Sequence, residues 1–165
     1  MTAAVLGGMA GCLLAAGLAA WWVRYTYVAV TVRGHSMMPT LRPGTRVLIR
    51  RGTRGVRRDG IVVVACPEPG TAWRGKAPVG RDLAATEWYI KRAVALAGEP
   101  FGGAPVPAGC LAVVGDSPHS EDSRSHGPCP MDQVLGSVVR TLGQPPAAVR
   151  GPAAGPGEPA GRQSG

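Results

Sequence analysis

The sequence predicts a mainly β chain: a single N-terminal transmembrane helix followed by a small domain of coiled antiparallel sheets. Three observations carry that expectation. Residues 3–23 form an apolar run of about the ~20 residues that span a bilayer as helix. Between residues 28 and 142, short apolar and β-branched runs alternate with Gly-, Pro- and Asp-containing turns. With 165 residues, part of them in the span and part in a polar tail, the chain holds one modest domain and no second one.

The elements follow in order. Trp21, Trp22, Tyr25 and Tyr27 cluster where an interfacial aromatic belt would lie, which favours an anchor. A cleavable secretory signal is the rival, because Leu18-Ala19-Ala20 places small residues near the end of the run. It lacks the basic start such signals carry. Residues 28–32 read as an extended segment, and residues 46–50, 61–65, 88–96, 111–114 and 134–142 read as strands. The stretches 66–86 and 98–109 read as loops, the first too polar to supply much core. Residues 143–165 are mostly Pro, Gly and Ala and cannot bury enough apolar surface to offset their ordering entropy, so a disordered tail is expected.

A formal charge of +8 suits an anionic surface, and the apolar N-terminus favours lipid over nucleic acid. The arginines between residues 46 and 58 read as a solvated face near lipid headgroups. No helix-turn-helix pattern and no interleaved aromatics accompany them. Cys12 lies in the span, so an exported domain could hold one disulfide among Cys66, Cys110 and Cys129, with the pair unassigned. No CxxC or HExxH spacing points to a metal, and no cofactor is expected.

The chain has two lysines, Lys76 and Lys91, against sixteen arginines. A lysine inside the apolar strand Trp88-Tyr89-Ile90-Lys91-Arg92-Ala93-Val94 therefore calls for a chemical reason. Arginine keeps its proton in a protein, whereas a desolvated lysine falls towards neutrality and becomes a general base. In a strand, Tyr89, Lys91 and Ala93 share one face while Ile90, Arg92 and Val94 share the other. A base needs a nucleophile, and Ser36 stands between Gly34 and Met37-Met38-Pro39, where proline restricts the preceding residue and glycine permits close approach. Ser36 and Lys91 are the candidate catalytic dyad.

Three motifs in order carry a family resemblance. They are residues 32–41 (Val-Arg-Gly-His-Ser-Met-Met-Pro-Thr-Leu), residues 89–94 (Tyr-Ile-Lys-Arg-Ala-Val) with Gly98 beyond, and Gly115-Asp116 followed by Ser120-Glu121-Asp122-Ser123-Arg124 with Gly127-Pro128. From about Val32 to Leu142 the chain resembles bacterial type I signal peptidase. The resemblance implies a membrane-anchored serine endopeptidase that removes signal peptides from secretory preproteins with small residues before the cut. It implies that Ser36 is the nucleophile and contributes its own N–H to the oxyanion hole, and that Lys91 is the general base. It also implies that Ser120 hydrogen-bonds the lysine, that Asp122 and Arg124 form a structural ion pair, and that Val32, Met37 and Ile90 line the specificity pockets. Gly34 stands where some members carry a second oxyanion hydroxyl, and Ser117 where an asparagine is usual.

The resemblance implies a catalytic domain outside the cytoplasm, whereas Arg24, read by the positive-inside rule, would keep it inside. The expectation follows the resemblance, because the N-terminal stub is too short to carry charge information. Other readings stay open. A non-catalytic membrane-anchored β module would keep the fold and lose the chemistry, and a maturation peptidase for one exported peptide would keep the chemistry. A triad of His119 or His126 with Asp116 or Asp122 is the catalytic rival. His35 is poorly placed for it, since neighbouring side chains in extended backbone diverge. Individual substrates and oligomeric state are not written in the sequence.

Overall fold

A computed structural model of the chain describes residues 2–80 and 87–144, with side chains from residue 11 onward. Helix α1 (Thr2–Thr26) runs without a linker into β1 (Tyr27–Thr31). Among the described residues no helix is long and apolar enough to cross a membrane. The expected disordered tail lies outside the described residues from residue 145 onward.

The strands after β1 are β2 (Arg46–Arg51), β3 (Ile61–Ala65), β4 (Trp88–Leu96), β5 (Pro100–Phe101), β6 (Ala104–Pro105), β7 (Cys110–Val114), β8 (Cys129–Pro130) and β9 (Val134–Gly143). Six of them and β1 form one curled antiparallel sheet in the order β1-β2-β9-β3-β4-β7-β8, and β5 pairs with β6 as a separate hairpin. The chain is mainly β, as the run-and-turn pattern predicts. Register shifts in the β2–β9, β3–β9 and β4–β7 ladders add local twist, which curls the sheet.

That curl explains β3. Its residues Ile-Val-Val-Val-Ala show no alternation because both faces are covered. Val62 and Val64 join Trp73, Ala93, Leu111, Val113, Cys129 and Val134 in one core cluster. Val63 faces the other way and joins Val32, Met37, Leu41, Val47, Ile49 and Leu135. Val63 and Leu135 of the second cluster line the cleft described below.

Three expectations need correction. The stretch 66–86 does supply core: Trp73 is buried and its indole N–H donates to the Ala65 carbonyl at 2.9 Å, so one large aromatic outweighs the polarity around it. The stretch 98–109 contains the β5–β6 hairpin, whose two-residue strands are too short for a periodicity to show. All four cysteines are free thiols, with Cys66 remote in sequence from Cys110 and Cys129 on the paired strands β7 and β8.

Gly136 on β9 is required by packing. A Cβ there would run into the Arg50 carbonyl and lie 2.8 Å from Ile49 Cγ2. Gly136→Ala should lower unfolding stability by ~1–3 kcal/mol, the range for overpacking. Gly143→Ala, with open space around it, should change stability by less than ~0.5 kcal/mol in the same urea titration.

Candidate active site

The serine loop begins where β1 ends. Val32 N–H donates to the Thr45 carbonyl at 2.8 Å, and Gly44 N–H to the Val32 carbonyl at 2.9 Å, which closes the loop at its base. Gly34 takes φ of +78°, a conformation that a side chain resists, and the chain then turns through residues 35–40, with a cis peptide between Met38 and Pro39. Val32, Met37 and Leu41 are sunk in the core, so the half-buried Ser36 between them is held on a fixed turn.

Lys91 sits on β4 opposite Val62 of β3. Lys91, Ala93 and Ala95 alternate inward, and the lysine is 2% exposed. Its Nζ donates to Ser120 Oγ and lies 4.8 Å from the centroid of the Tyr89 ring. Burial pulls the Lys91 pKa below the ordinary lysine value, while the negative charge of Asp122 and, more weakly, of Glu121 pulls it back.

The third segment comes from the loop after β7. Asp122 caps the short helix α2 (Ser123–His126) and is 1% exposed. Its carboxylate accepts from Gly115 N–H at 2.9 Å, from Arg124 N–H at 3.1 Å, and from Arg124 Nε and Nη2 at 2.9 and 2.7 Å. Burial alone would raise the Asp122 pKa, but these hydrogen bonds and the guanidinium charge overcome it and hold the group at about 2. Ser123 Oγ accepts from Val113 N–H at 2.9 Å, fastening the loop to β7.

On the opposite face of β4, Arg92 grips Asp116 through Nε and Nη2 at 2.8 and 2.7 Å and reaches Thr40 Oγ1 at 3.4 Å. The guanidinium holds the Asp116 carboxyl below its usual range. Ser117 N–H donates to the Ser36 carbonyl at 3.0 Å. A Cβ on Gly115 would strike the Ser120 side chain and stand 2.6 Å from the Ser36 carbonyl oxygen. Gly115 is therefore the point where the serine loop and the Ser120 loop touch, and glycine is what lets them.

These contacts enclose an open cleft of about 1080 Å³ walled by Ser36, Lys91, Ser120, Ile90, Trp88 and Leu135. Asp122 and Arg124 stand behind Ser120. Val32 and Met37 lie in a core cluster, and Ile90, packed against that cluster, lines the cleft. His35 and His119 border the cleft, whereas His126 packs edge-on against Trp73 at 6.1 Å. Both aspartates that a triad would use are held by arginines. Sequence reasoning missed the Arg92–Asp116 tie and the role of Gly115. Their signal was their presence inside the Lys-Arg and Gly-Asp pairs.

Because the folded Asp122 carboxyl titrates below its unfolded value of ~3.9, it contributes stability above that pH and loses it as pH falls towards 2. The contribution is about 2 kcal/mol. The gap in unfolding free energy between the natural protein and Asp122→Asn should therefore narrow by about that amount between pH ~5 and pH ~2. A gap that stays constant would count against the ion pair as its source.

A family model described as signal peptidase, peptidase S26 matches residues 7–102 and 99–142. No curated protein matches the chain. The matched span takes in the serine loop, all of β4 and the loop that carries Ser120, and it covers most of the 165 residues. On that coverage, the chain belongs to the signal peptidase family, peptidase S26.

Proposed function

We propose that the protein is a membrane-anchored serine endopeptidase that cleaves signal peptides from exported preproteins by a Ser36–Lys91 dyad. The observation that carries the reading is Lys91: a lysine buried in a sheet, with its Nζ hydrogen-bonded to Ser120, on the same cleft as Ser36. Burial lowers the cost of losing its proton, as a general base near neutral pH requires.

In the acylation step, Ser36 Oγ forms a bond to the scissile carbonyl carbon as neutral Lys91 takes the hydroxyl proton. The tetrahedral intermediate collapses by breaking the C–N bond, and Lys91 returns the proton to the departing amine. Lys91 then removes a proton from water, whose oxygen attacks the acyl carbon, and Ser36 leaves with that proton restored. Ser120 orients the lysine. Asp122, fixed by Arg124 and Gly115 N–H, fixes the loop of Ser120. Apolar groups at Ile90, Trp88 and Leu135 suit an extended substrate with small apolar residues before the cut.

The anchor over residues 3–23, with the domain outside the cytoplasm and lipids as neighbours, belongs to the same reading. Exposed Trp21, Trp22 and Tyr25 at the end of α1 suit a membrane–water boundary, and the direct passage of α1 into β1 keeps Ser36 close to it.

Single-turnover cleavage of a preprotein bearing an Ala-x-Ala site, with products identified by mass, tests the chemistry. Lys91→Arg should abolish turnover as completely as Lys91→Ala, because arginine keeps the charge but cannot accept a proton. His119→Ala and His126→Ala should retain cleavage, and Ser120→Ala should be slowed with the cut unmoved. Activity in Lys91→Arg, or its loss in a folded histidine variant, would favour a triad.

Topology has its own test. The full chain should stay with membranes washed in alkaline carbonate, and a membrane-impermeant protease added to intact cells should digest the domain after Val23. Complete protection of a protein shown to be present would revive the orientation that Arg24 suggests.

A further inference from the structure

The wall beside Lys91 holds groups that the reaction does not use. The Tyr89 ring lies 4.8 Å from Lys91 Nζ, and its hydroxyl donates to Glu121 Oε2 at 3.3 Å. Glu121 is the chain neighbour of Ser120, to which Lys91 donates. A closed circuit results: from Lys91 along β4 to Tyr89, across to Glu121, one residue back to Ser120, and from Ser120 to Lys91. Tyr89, Glu121 and Cys66 all line the cleft.

We propose that Glu121 is a positioning residue for Lys91: by accepting from the Tyr89 hydroxyl it ties β4 to the loop that carries Ser120, and it sets a negative charge beside the ammonium. The proposal rests on the reading of Lys91 as the base.

Two consequences follow from the geometry. Tyr89, pushed up to about 12 by burial and by its neighbours Cys66 and Glu121, remains a donor throughout the working pH range, so the clasp does not open by its titration. The Glu121 carboxylate favours the ammonium form and opposes the effect of burial on Lys91. The other charged or titratable groups acting on the lysine are Asp122, Cys66 and Arg124. Asp122 and Arg124 are committed to each other, whereas Glu121 is exposed, so its charge can be removed without dismantling the loop.

The chain's two lysines make the test direct, since carbon-13 labelling of the lysine Cε gives two signals in the full-length protein in detergent. In Glu121→Gln the Lys91 titration midpoint should fall by a few tenths of a unit, up to ~0.7, as expected for an exposed neighbouring charge. The second signal belongs to Lys76, which is paired with Glu68 at 3.6 Å. The acid limb of kcat/KM for the Ala-x-Ala preprotein should shift in the same direction. Tyr89→Phe keeps the ring and loses the clasp, and should lower kcat ~3–10-fold with KM changed less than ~2-fold, the loss expected for one hydrogen bond. A Lys91 midpoint unchanged in Glu121→Gln, or a Tyr89→Phe enzyme with unaltered kcat, overturns the proposal. Full activity in Lys91→Ala would instead sink the dyad, and the lysine titration would still judge the link between Glu121 and Lys91.

Discussion

A lysine side chain buried in a β-sheet is the constraint on which the surrounding structure depends. Taking an ammonium out of water costs several kcal/mol unless other groups replace the lost hydration, or the proton leaves. Both responses are built in here. Ser120 accepts from Nζ and the face of Tyr89 offers its negative quadrupole, while burial shifts the balance towards the neutral amine. The opposing pull of Asp122 keeps the shift bounded.

Holding Lys91 in that state requires three chain segments to meet with little freedom. Strand β4 serves two of them at once, because its alternation sends Lys91 inward and Arg92 to the opposite face. Arg92 then binds Asp116 and reaches Thr40, so the same strand that carries the lysine also ties down the end of the serine loop. Gly115 completes the junction by having no side chain where Ser120 and the Ser36 carbonyl approach. The Arg92–Asp116 and Arg124–Asp122 pairs fix the positions of these segments.

The β nature of the chain was legible because its strands are short, apolar and separated by turn residues, and β3 and β4 fall on the stretches that pattern marks. Trp73 was missed because a single buried aromatic in a Pro/Gly-rich stretch leaves no periodic trace, and the β5–β6 hairpin because two-residue strands have no period. Ser36 and Lys91 stood out for chemical reasons: an unusual lysine in an apolar strand and a serine flanked by Gly34 and a proline turn.

Sequence by itself determined the strand periodicity, the isolation of Lys91 among apolar neighbours, and the divergence of Lys91 and Arg92, since each follows from side-chain alternation or residue chemistry over a few positions. Tertiary structure alone decided which distant groups meet: that Arg92 takes Asp116 and Arg124 takes Asp122, that Gly115 touches both loops, and that Tyr89 finds Glu121. Those pairings join residues brought together by sheet order and register, and a one-dimensional pattern carries no record of which strand will lie beside which.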